Sequence, residues 1–354
     1  MKLKDIFLCI ASIAMVCIIA TCGSAPKLEQ DAAQPEAEEE EIIEEDPEII
    51  ASYERMPISD EPIPFTESWG YVWAGRENEL KADFPLTDVA VCFAEIDGYG
   101  NLTDIPKRSK IKNFNGRVHL VAACSGRALT HFSIDPEYSV RQRIIRQLLE
   151  ASKDFDGLQI DFENVPAKDG AHFVSFLKEL KEGLNGKPLS IAIAARTRTL
   201  QNDVYDYATI EPIVDRMLIM AYDEHWSTSK AGPIASTAWC KRIADYAKTK
   251  IPPEKLIMGM PFYGRSWSDK NPAGAWYYSR VNRIYSENDT SEIKRDAGVP
   301  YFTYSTTVNV TTYFDDEYSL FIKCRMYKDL GIDKIGFWRV GHEDPEFWKH
   351  IRIE

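Results

Sequence analysis

The sequence predicts an α/β fold, a TIM-type (β/α)8 barrel with a small α+β insertion between strands 7 and 8. Three observations predict it. From Trp69 onward, apolar runs of strand length alternate with stretches of helical periodicity. Strands that are separated by helical crossovers pair in parallel, and eight of them close into a barrel. The chain after about residue 60 has the length of one such barrel, about 250 residues plus insertions.

The predicted elements follow one another in the order that a barrel requires. The eight strands are expected at residues 69–73, 89–93, 118–122, 157–163, 189–194, 216–221, 256–260 and 334–338. Helices are expected between them, for example at residues 139–153, 171–185 and 240–249. The interval before the last strand is too long for a single crossover and is rich in Tyr, Thr and Val. We therefore expect a barrel domain over residues 58–354, with an inserted lobe at about 268–315.

The N-terminus has the pattern of a bacterial export signal. Lys2 and Lys4 precede an apolar run over residues 6–20, which is shorter than the roughly 20 residues that a membrane span needs. The run ends in Ala20-Thr21-Cys22-Gly23, which resembles a lipobox. We expect residues 1–22 to be a lipoprotein signal and the protein to be an envelope lipoprotein, with a membrane anchor at Cys22. The alternative is an ordinary cleaved signal and a secreted protein.

The segment that follows is acidic and predicts a disordered linker over residues 23–57. Residues 23–50 contain eleven acidic residues and one basic residue, Lys27, and few large apolar groups. Such a segment cannot bury enough surface to offset the entropy of ordering it. Of the net charge of −13, only −4 remains for the chain after residue 50. This charge predicts no nucleic-acid partner, because a phosphate backbone would be repelled.

Cysteine and histidine spacing predicts neither a disulfide framework nor a metal site. The seven cysteines are scattered singly, without CxxC or metal-ligand spacing, so we expect free thiols. His225 has no second histidine at metal spacing and is expected to be structural.

The chemistry is expected on the strand predicted at residues 157–163. Its residues alternate strictly: Leu158, Ile160 and Phe162 face one way, whereas Gln159, Asp161 and Glu163 face the other. Because unpaired buried carboxylates cost several kcal/mol each, a purely structural strand would not carry them inward. Glu163 also lies at the C-terminal strand end, where barrel enzymes place their active sites. A polar outer face and a calcium loop from Asp154, Asp156 and Asp161 explain the alternation less well.

Together these residues resemble the signature of glycoside hydrolase family 18. Asp156, Asp161 and Glu163 match it, whereas Gln159 stands where many chitinases of the family have Asp. Further matching segments are Ala123-Cys124-Ser125-Gly126, Met220-Ala221-Tyr222-Asp223, Met260-Pro261-Phe262-Tyr263-Gly264-Arg265 and Phe337-Trp338-Arg339. The run that begins at Ala221 looks most like bacterial spore-cortex and cell-wall-related members.

The resemblance implies a role for each matching residue. Glu163 would be the general acid, Asp161 would orient the acetamido group of the substrate, and Tyr222 would donate a hydrogen bond to it. Substrate binding is implied for Gln159, Asp223, Tyr263, Arg265 and Trp338. The acetamido oxygen, rather than an enzyme carboxylate, would act as the nucleophile. Trp69, Trp73 and Trp276 are further subsite candidates.

The predicted function is hydrolysis of β-1,4-linked glycans next to N-acetylglucosamine, by a chitinase or N-acetylglucosaminidase type of enzyme. The resemblance implies no metal or organic cofactor, an N-acetylated glycan as the binding partner, and a monomer. The alternative is a catalytically weak or inactive, lectin-like carbohydrate-binding member of the family. The presence of Glu163 favours the enzyme. The sequence leaves chitin oligomers, peptidoglycan and N-glycans open as substrates, as well as endo or exo action.

Overall fold

Eight parallel strands form a closed barrel in the computed structural model, which describes residues 47–112, 114–269, 274–305 and 309–354. The strands of these residues are β1 Ile63–Phe65, β2 Glu67–Trp73, β3 Asp88–Ile96, β4 Leu102–Thr103, β5 Arg117–Ala123, β6 Gly157–Asp161, β7 Leu189–Ala194, β8 Arg216–Met220, β9 Leu256–Pro261, β10 Tyr263–Ser268, β11 Gly274–Tyr277, β12 Lys294–Asp296, β13 Val299–Ser305, β14 Asn309–Tyr313, β15 Lys334–Trp338 and β16 Ile351–Ile353. The helices are α1 Pro47–Glu54, α2 Arg127–Ile134, α3 Ser139–Ala151, α4 Gly170–Gly183, α5 Tyr207–Ile210, α6 Thr237–Lys250, α7 Tyr278–Glu287 and α8 Glu317–Asp329.

The barrel confirms all eight predicted strands. Its order is β2-β3-β5-β6-β7-β8-β9-β15, and β15 pairs back to β2, with Gly336 opposite Trp69. Each observed strand begins and ends within three residues of its predicted bounds. The parallel pairing follows from the crossover helices, which cover the outer face of the sheet and turn the chain back for each new strand.

The main core lies between the strands and the surrounding helices. Alternate strand residues such as Leu158 and Ile160 point outward and are fully buried there. They pack in one cluster with helix residues such as Ile144 on α3 and Phe176 on α4. Because the outward residues fill this layer, the intervening residues of each strand are left to line the barrel interior.

Paired charges close the N-terminal end of the barrel, which we call the bottom. Asp88 is fully buried and accepts hydrogen bonds from Arg117 Nε at 2.7 Å and its Nη2 at 2.9 Å. His119 Nε2 lies 2.8 Å from the same carboxylate. Glu67 accepts hydrogen bonds from Arg216, with Nε at 3.0 and 3.1 Å from its two carboxylate oxygens. These partners lower the pKa of Asp88 and of Glu67 against the raising effect of burial, so both carboxylates remain charged.

The predicted insertion between strands 7 and 8 is present as a lobe of five antiparallel strands and one helix. The strand order is β11-β10-β14-β13-β12, and α7 packs on the sheet. The lobe begins at Tyr263, earlier than the expected boundary near residue 268, because β10 follows β9 after only Phe262. Its aromatic cluster, which includes Trp267 and Tyr313, also contacts Tyr222 and Trp338. The lobe therefore lies beside the C-terminal end of the barrel and contacts residues there.

The linker prediction is wrong at its C-terminal end. Residues 47–54 form helix α1, whose Ile50 and Tyr53 are buried. Tyr53 donates a hydrogen bond to Asp329 of α8 at 3.1 Å, and Tyr318 of α8 donates one to the carbonyl oxygen of Glu54 at 2.5 Å. A few apolar side chains after the acidic run are enough to anchor this segment, so the folded part begins about ten residues before the predicted start at residue 58. The predicted signal at 1–22 and the linker up to residue 46 lie outside the described residues.

Within the described residues, the cysteines are free and buried, as predicted: Cys92, Cys124, Cys240 and Cys324. No helix in this part of the chain combines the length and the apolar character needed to cross a bilayer.

Candidate active site at the C-terminal end of the barrel

Strand β6 presents its polar residues to the barrel interior, as the alternation predicts. Gln159 and Asp161 point inward, whereas Leu158 and Ile160 pack against the helices. The strand ends at Asp161, and Glu163 follows at the C-terminal end of the barrel, which we call the mouth, where its side chain reaches solvent.

Below the mouth, Gln159 belongs to a buried chain of hydrogen bonds. Tyr71 Oη donates to Gln159 Oε1 at 2.5 Å, and Gln159 Nε2 donates to Ser190 Oγ at 3.2 Å. All three residues are buried, with Gln159 at 0% exposure. The expected substrate-binding role of Gln159 is therefore corrected, because its amide is bonded at both ends and out of reach of a ligand. Gln159 instead holds Tyr71 and Ser190 beneath Asp161.

Among the residues that the structure describes, no cationic side chain pairs with the two carboxyl groups of the mouth, in contrast to those of the bottom. Asp161 is 6% exposed, and its Oδ1 atom is buried without a hydrogen-bond partner. Burial and then the nearby negative charge of Glu163 raise the pKa of Asp161 well above its usual range. Partial burial and then the charge of Asp223 raise the pKa of Glu163. These shifts favour the protonated form of both groups, which a proton donor requires.

Tyr222 projects from the loop after β8 toward these acids. A glycine on β9, Gly259, makes room for it: a Cβ atom there would lie 3.1 Å from Tyr222 Cε1 and 2.7 Å from the carbonyl oxygen of Ile219. Burial, and then the neighbouring Tyr71 and Asp161, raise the pKa of Tyr222 well above its usual range. Its hydroxyl therefore stays protonated and can donate a hydrogen bond.

Asp223 is held in a defined position by the start of the inserted lobe. Tyr263 Oη and Arg265 Nη2 each donate to Asp223 Oδ1 at 2.6 Å. Asp223 has φ of 60°, in the left-handed region that residues other than glycine seldom adopt. Such backbone strain is often found at functional sites. Tyr263 and Arg265 thus lie at the mouth, as predicted, and both bind the carboxylate of Asp223.

Aromatic side chains form one side of the mouth around Trp338, at the end of β15. The ring of Trp338 is half-buried and lies 5.2 Å from that of Tyr71, 5.8 Å from that of Phe93 and 6.2 Å from that of Trp73. Its remaining surface is free to contact a ligand. An aromatic face beside carboxyl groups is suited to binding a sugar ring.

The other subsite candidates have different positions. Trp69 is 1% exposed and its Nε1 donates to Glu67 at the bottom at 3.1 Å, so its expected subsite role is wrong. Trp73 is 41% exposed beside Trp338. Trp276 is half-buried on β11, with Nε1 2.5 Å from Ser266 Oγ. His225 Nδ1 contacts the carbonyl oxygen of Pro233 at 2.8 Å, in agreement with a structural role.

Three residues of the site escaped sequence reasoning: Tyr71, Phe93 and Ser190. Tyr71 lies two positions after Trp69 on a strand whose inward face could have been assigned by alternation. Phe93 and Ser190 carried no comparable signal, because their roles depend on which strands are neighbours. Among the described residues, the one group of three metal-ligating side chains within 4.8 Å of each other lies elsewhere, between α2 and α4.

Comparison with known proteins finds one family across most of the chain. The sequence model of glycosyl hydrolases family 18 matches residues 65–343. This range contains every barrel strand, the inserted lobe and all the site residues described above.

Similar curated proteins include two from Bacillus species. An uncharacterised glycosylase of Bacillus subtilis is 28% identical over 60% of this chain and 66% of its own length. A cortical fragment-lytic enzyme of Bacillus anthracis is 27% identical over 60% of this chain and 53% of its own length. The alignments thus span between about half and two thirds of these relatives.

Solved structures share the fold. The spore cortex-lytic enzyme SleL of Bacillus cereus superposes with a TM-score of 0.74 and 23% identity, over 84% of this chain and 77% of that one. The C-terminal domain of a putative chitinase from Desulfitobacterium hafniense gives a TM-score of 0.69 and 25% identity, over 81% and 97% of the two chains.

Proposed function

Because the chain belongs to glycosyl hydrolase family 18, we propose that it cleaves β-1,4-glycosidic bonds next to N-acetylglucosamine by a substrate-assisted, retaining mechanism. The observation that carries this proposal is the buried Oδ1 atom of Asp161, which has no partner beside the acid Glu163. A buried acceptor without a partner costs stability, and a ligand N–H would satisfy it. The N–H of an acetamido group on the substrate is suited to that acceptor.

In the first proposed step, Glu163 donates its proton to the glycosidic oxygen. The bond between that oxygen and the anomeric carbon breaks as the acetamido carbonyl oxygen attacks the same carbon from the opposite face. The leaving sugar departs as an alcohol, and the cyclised sugar carries the positive charge. Water then attacks the anomeric carbon from the face that the leaving sugar occupied, and one of its protons passes to the Glu163 carboxylate. The bond from that carbon to the acetamido oxygen breaks, which returns the neutral acetamido group and restores the original configuration.

Asp161 and Tyr222 are proposed to hold the acetamido group during this attack. Asp161 accepts the N–H of the group at its Oδ1 atom, which orients the acetamido carbonyl for attack and places an acceptor beside the positive charge that develops on the ring. The hydroxyl of Tyr222 donates a hydrogen bond to the acetamido oxygen. Asp161 lies two residues before Glu163 and on the same inward face, which does not suit a separate nucleophile across the sugar ring. Gln159 carries no charge, so Asp161 has no ionisable neighbour directly beneath it on β6.

The remaining mouth residues are proposed to bind the sugar. Asp223, oriented by Tyr263 and Arg265, accepts hydrogen bonds from sugar hydroxyls and raises the pKa of Glu163 through its charge. Trp338 forms the apolar surface beneath the distorted ring, where contact is strongest in the transition state.

We propose chitooligosaccharides or peptidoglycan-type glycans as substrates. The names of the bacterial relatives, a cortical fragment-lytic enzyme and a spore cortex-lytic enzyme, support a peptidoglycan-type substrate. The likeness to a chitinase domain at 25% identity supports chitin fragments. Mass spectrometry of the products from a panel of both glycans separates these substrates and also distinguishes endo from exo action.

The mechanism is tested with a matched pair of aryl glycosides that differ only in the N-acetyl group. We expect the acetylated compound to be cleaved with retention and its deacetylated counterpart to be inert. A thiazoline analogue of the cyclised intermediate should inhibit the enzyme. Equal hydrolysis of the two compounds would contradict substrate assistance, whereas binding without hydrolysis of any glycan would indicate the lectin-like alternative.

We also propose that the protein is exported and anchored in the cell envelope through a lipid on Cys22. The short apolar run and the lipobox-like ending at this residue support the proposal. Expression of Cys22→Ala in a bacterial host should release the protein from the membrane fraction. Identical detergent partitioning of both forms would contradict the anchor.

A monomer is proposed as the active form, since the candidate site is built from residues of one chain. Size-exclusion chromatography with light-scattering detection should give the mass of a single chain. A dimer mass at the concentration used for activity assays would contradict it.

A further inference from the structure

Two histidines and two aspartates meet outside the barrel, where helix α2 approaches helix α4. His131 lies in the last turn of α2, and Asp135 follows that helix. Asp169 precedes α4, and His172 lies in its first turn. One ligand atom from each of His131, Asp135 and Asp169 lies within 4.8 Å of the other two. We call these four residues the His–Asp cluster.

Hydrogen bonding within the cluster fixes the orientation of His131. Its Nδ1 atom lies 2.9 Å from Asp169 Oδ2, a carboxylate that is 1% exposed. Because a carboxylate can only accept, Nδ1 carries the proton and Nε2 of the neutral ring presents a lone pair. The Nε2 atom faces Asp135 Oδ2 at 3.7 Å. An imidazole that is held in this way by a carboxylate is the usual arrangement of a metal-binding histidine.

His172 contributes a second, unsatisfied nitrogen. Its Nδ1 atom is buried and has no hydrogen-bond partner among the residues that the structure describes. It lies 3.4 Å from Asp169 Oδ1 and 3.7 Å from Asp135 Oδ2, the oxygen that His131 Nε2 also faces. His172 thus lies beside two carboxylates of the cluster, while the mutual spacing within 4.8 Å holds for His131, Asp135 and Asp169.

We propose that the His–Asp cluster binds a divalent transition-metal ion of the zinc class. Imidazole nitrogen and carboxylate oxygen are its common ligands, and the edge of a tetrahedral site with such bonds is about 3.3 Å. The contacts of 3.4 to 3.7 Å around Asp135 and His172 are close to that spacing. Two carboxylates neutralise the charge of the ion, and the imidazoles disfavour calcium and magnesium, which prefer oxygen ligands.

A nearby lysine provides the competing interpretation. Lys168 Nζ lies 3.4 Å from His131 Nε2, so its ammonium group could satisfy that lone pair without a metal. It is exposed, however, and it leaves the nitrogen of His172 without a partner. An exposed lysine can move to solvent at small cost. We therefore expect Lys168 to compete with the metal rather than to replace it.

The position of the cluster gives the metal a structural consequence. Asp169 lies six residues after Glu163, at the end of the loop that leads from the catalytic strand into α4. His131 belongs to the helix that follows the preceding barrel strand, β5. A bound ion would cross-link these two loops of the mouth. Binding to the folded state alone stabilises it, by about 100-fold in the folding equilibrium constant at an ion concentration of 100 times Kd.

The test is zinc binding by the metal-stripped full chain, measured by calorimetry and by thermal unfolding with and without Zn²⁺. We expect saturable binding of one ion and a higher melting temperature with the ion. His131→Gln and His172→Gln each remove one imidazole ligand and should weaken zinc binding. Loss of a group that only supports a ligand costs roughly 10–100-fold in metal affinity, so we expect at least that loss here. Lys168→Met should strengthen it. His225→Gln removes a histidine outside the cluster and is the matched control.

Each outcome decides the proposal. Absence of Zn²⁺ binding, or binding that neither cluster variant weakens more than His225→Gln does, would overturn it; the latter result would indicate thiols or other groups. An equal stabilisation by Ca²⁺ would also overturn it, because it would indicate an acidic patch without imidazole ligands. His172 is partly exposed, so its variant remains informative even if His131→Gln disturbs folding. None of these measurements depends on glycan hydrolysis, so the two proposals can fail separately.

Discussion

Buried carboxyl groups have different partners at the two ends of the barrel, and their pKa values shift in opposite directions. At the bottom, the pKa of Asp88 is lowered against burial by its hydrogen bonds with His119 and Arg117, and that of Glu67 by its hydrogen bonds with Arg216 and Trp69. At the mouth, Asp161 and Glu163 have no such counterion within the described part of the chain, and burial raises their pKa values. The same fold thus has paired carboxylates at one end, which we expect to contribute stability, and unpaired ones at the other, for which we propose a chemical role. This difference separates structural acids from catalytic candidates more sharply than burial alone.

The largest effect on turnover is expected from a substitution that removes the acidic proton of Glu163 at the mouth. Glu163→Gln keeps the shape of the side chain but cannot donate a proton to the glycosidic oxygen. General acid catalysis contributes about 10²–10⁴-fold, so kcat should fall by that factor while glycan binding is largely kept. Steady-state kinetics and a binding titration on the same substrate measure both quantities. A variant that retained wild-type kcat would remove Glu163 from the mechanism.

At the bottom, the corresponding substitution should act on stability. Asp88→Asn removes the buried carboxylate that Arg117 and His119 contact. Because Arg117 is 47% exposed and also lies 3.6 Å from Glu67, its charge stays partly compensated, so we expect a cost of about 1–3 kcal/mol, that of a lost buried hydrogen-bond partner. The free energy of unfolding in denaturant should fall by about that amount. At temperatures where the variant is folded, its kcat should match the wild type. A stability loss below about 1 kcal/mol would mean that the ion pair at the bottom is screened as surface pairs are.

A smaller effect on catalysis is expected from the aromatic side of the mouth. Trp338→Ala removes apolar contact with the sugar, and full burial of a large side chain is worth about 1.5–3 kcal/mol. We expect kcat/KM to fall by about 10–100-fold, with Trp338→Phe as the conservative control that restores part of it. Unchanged kinetics in Trp338→Ala would exclude contact between this ring and the substrate.

Helix α1 is a folded segment that the linker prediction assigns to a disordered region. A chain starting at Ile58 loses the buried Ile50 and Tyr53, a loss of about 1.5–3 kcal/mol per fully buried side chain at most. The melting temperature should fall, whereas kcat should not change because α1 packs on α8, away from the mouth residues. A chain starting at Pro47 is the control. Equal melting temperatures for the two chains would show that α1 adds nothing to stability.

The smallest expected effect is an opposite pH dependence at the two ends. The pKa values of Asp88 and Glu67 are lowered by folding, so their contribution to stability is present above their unfolded pKa values and is lost as the pH falls through the folded ones. The pKa of Asp161 is raised by folding, so its ionisation lowers stability as the pH rises above about 4, the usual value for Asp.

Unfolding measured across the acidic to neutral range checks this sign. Asp161→Asn should become more stable relative to the wild type as the pH rises. The difference in the free energy of unfolding between Asp88→Asn and the wild type should shrink as the pH falls. Parallel pH profiles for the two variants would contradict the assignment of opposite roles to the two ends.

The strands could be predicted because their signal is local. Apolar runs of strand length mark each one, and alternation predicts its two faces, with Asp161 and Glu163 on the inward face of theirs. The alternation of residues does not show whether an inward-facing side chain lies near the bottom or near the mouth of the barrel. Trp69 and Trp338 both face inward, yet Trp69 lies at the bottom and Trp338 at the mouth.

Contacts between distant segments account for what the sequence did not predict. Helix α1 depends on α8, whose partner residues Tyr318 and Asp329 lie more than 260 positions away. The His–Asp cluster combines His131 with Asp169 and their neighbours, from helices on either side of β6. Neither segment alone contains a recognisable motif.

The central claim, that the mouth supplies chemistry and the bottom supplies stability, is tested most directly by a double-mutant cycle. Turnover and the free energy of unfolding are measured on the wild type, Glu163→Gln, Asp88→Asn and the double variant. Because the two positions lie at opposite ends of the barrel, we expect independent effects. The double variant should lose turnover as Glu163→Gln does and lose stability as Asp88→Asn does. A folded Asp88→Asn protein with turnover as low as that of Glu163→Gln, or a Glu163→Gln protein as unstable as Asp88→Asn, would contradict the claim.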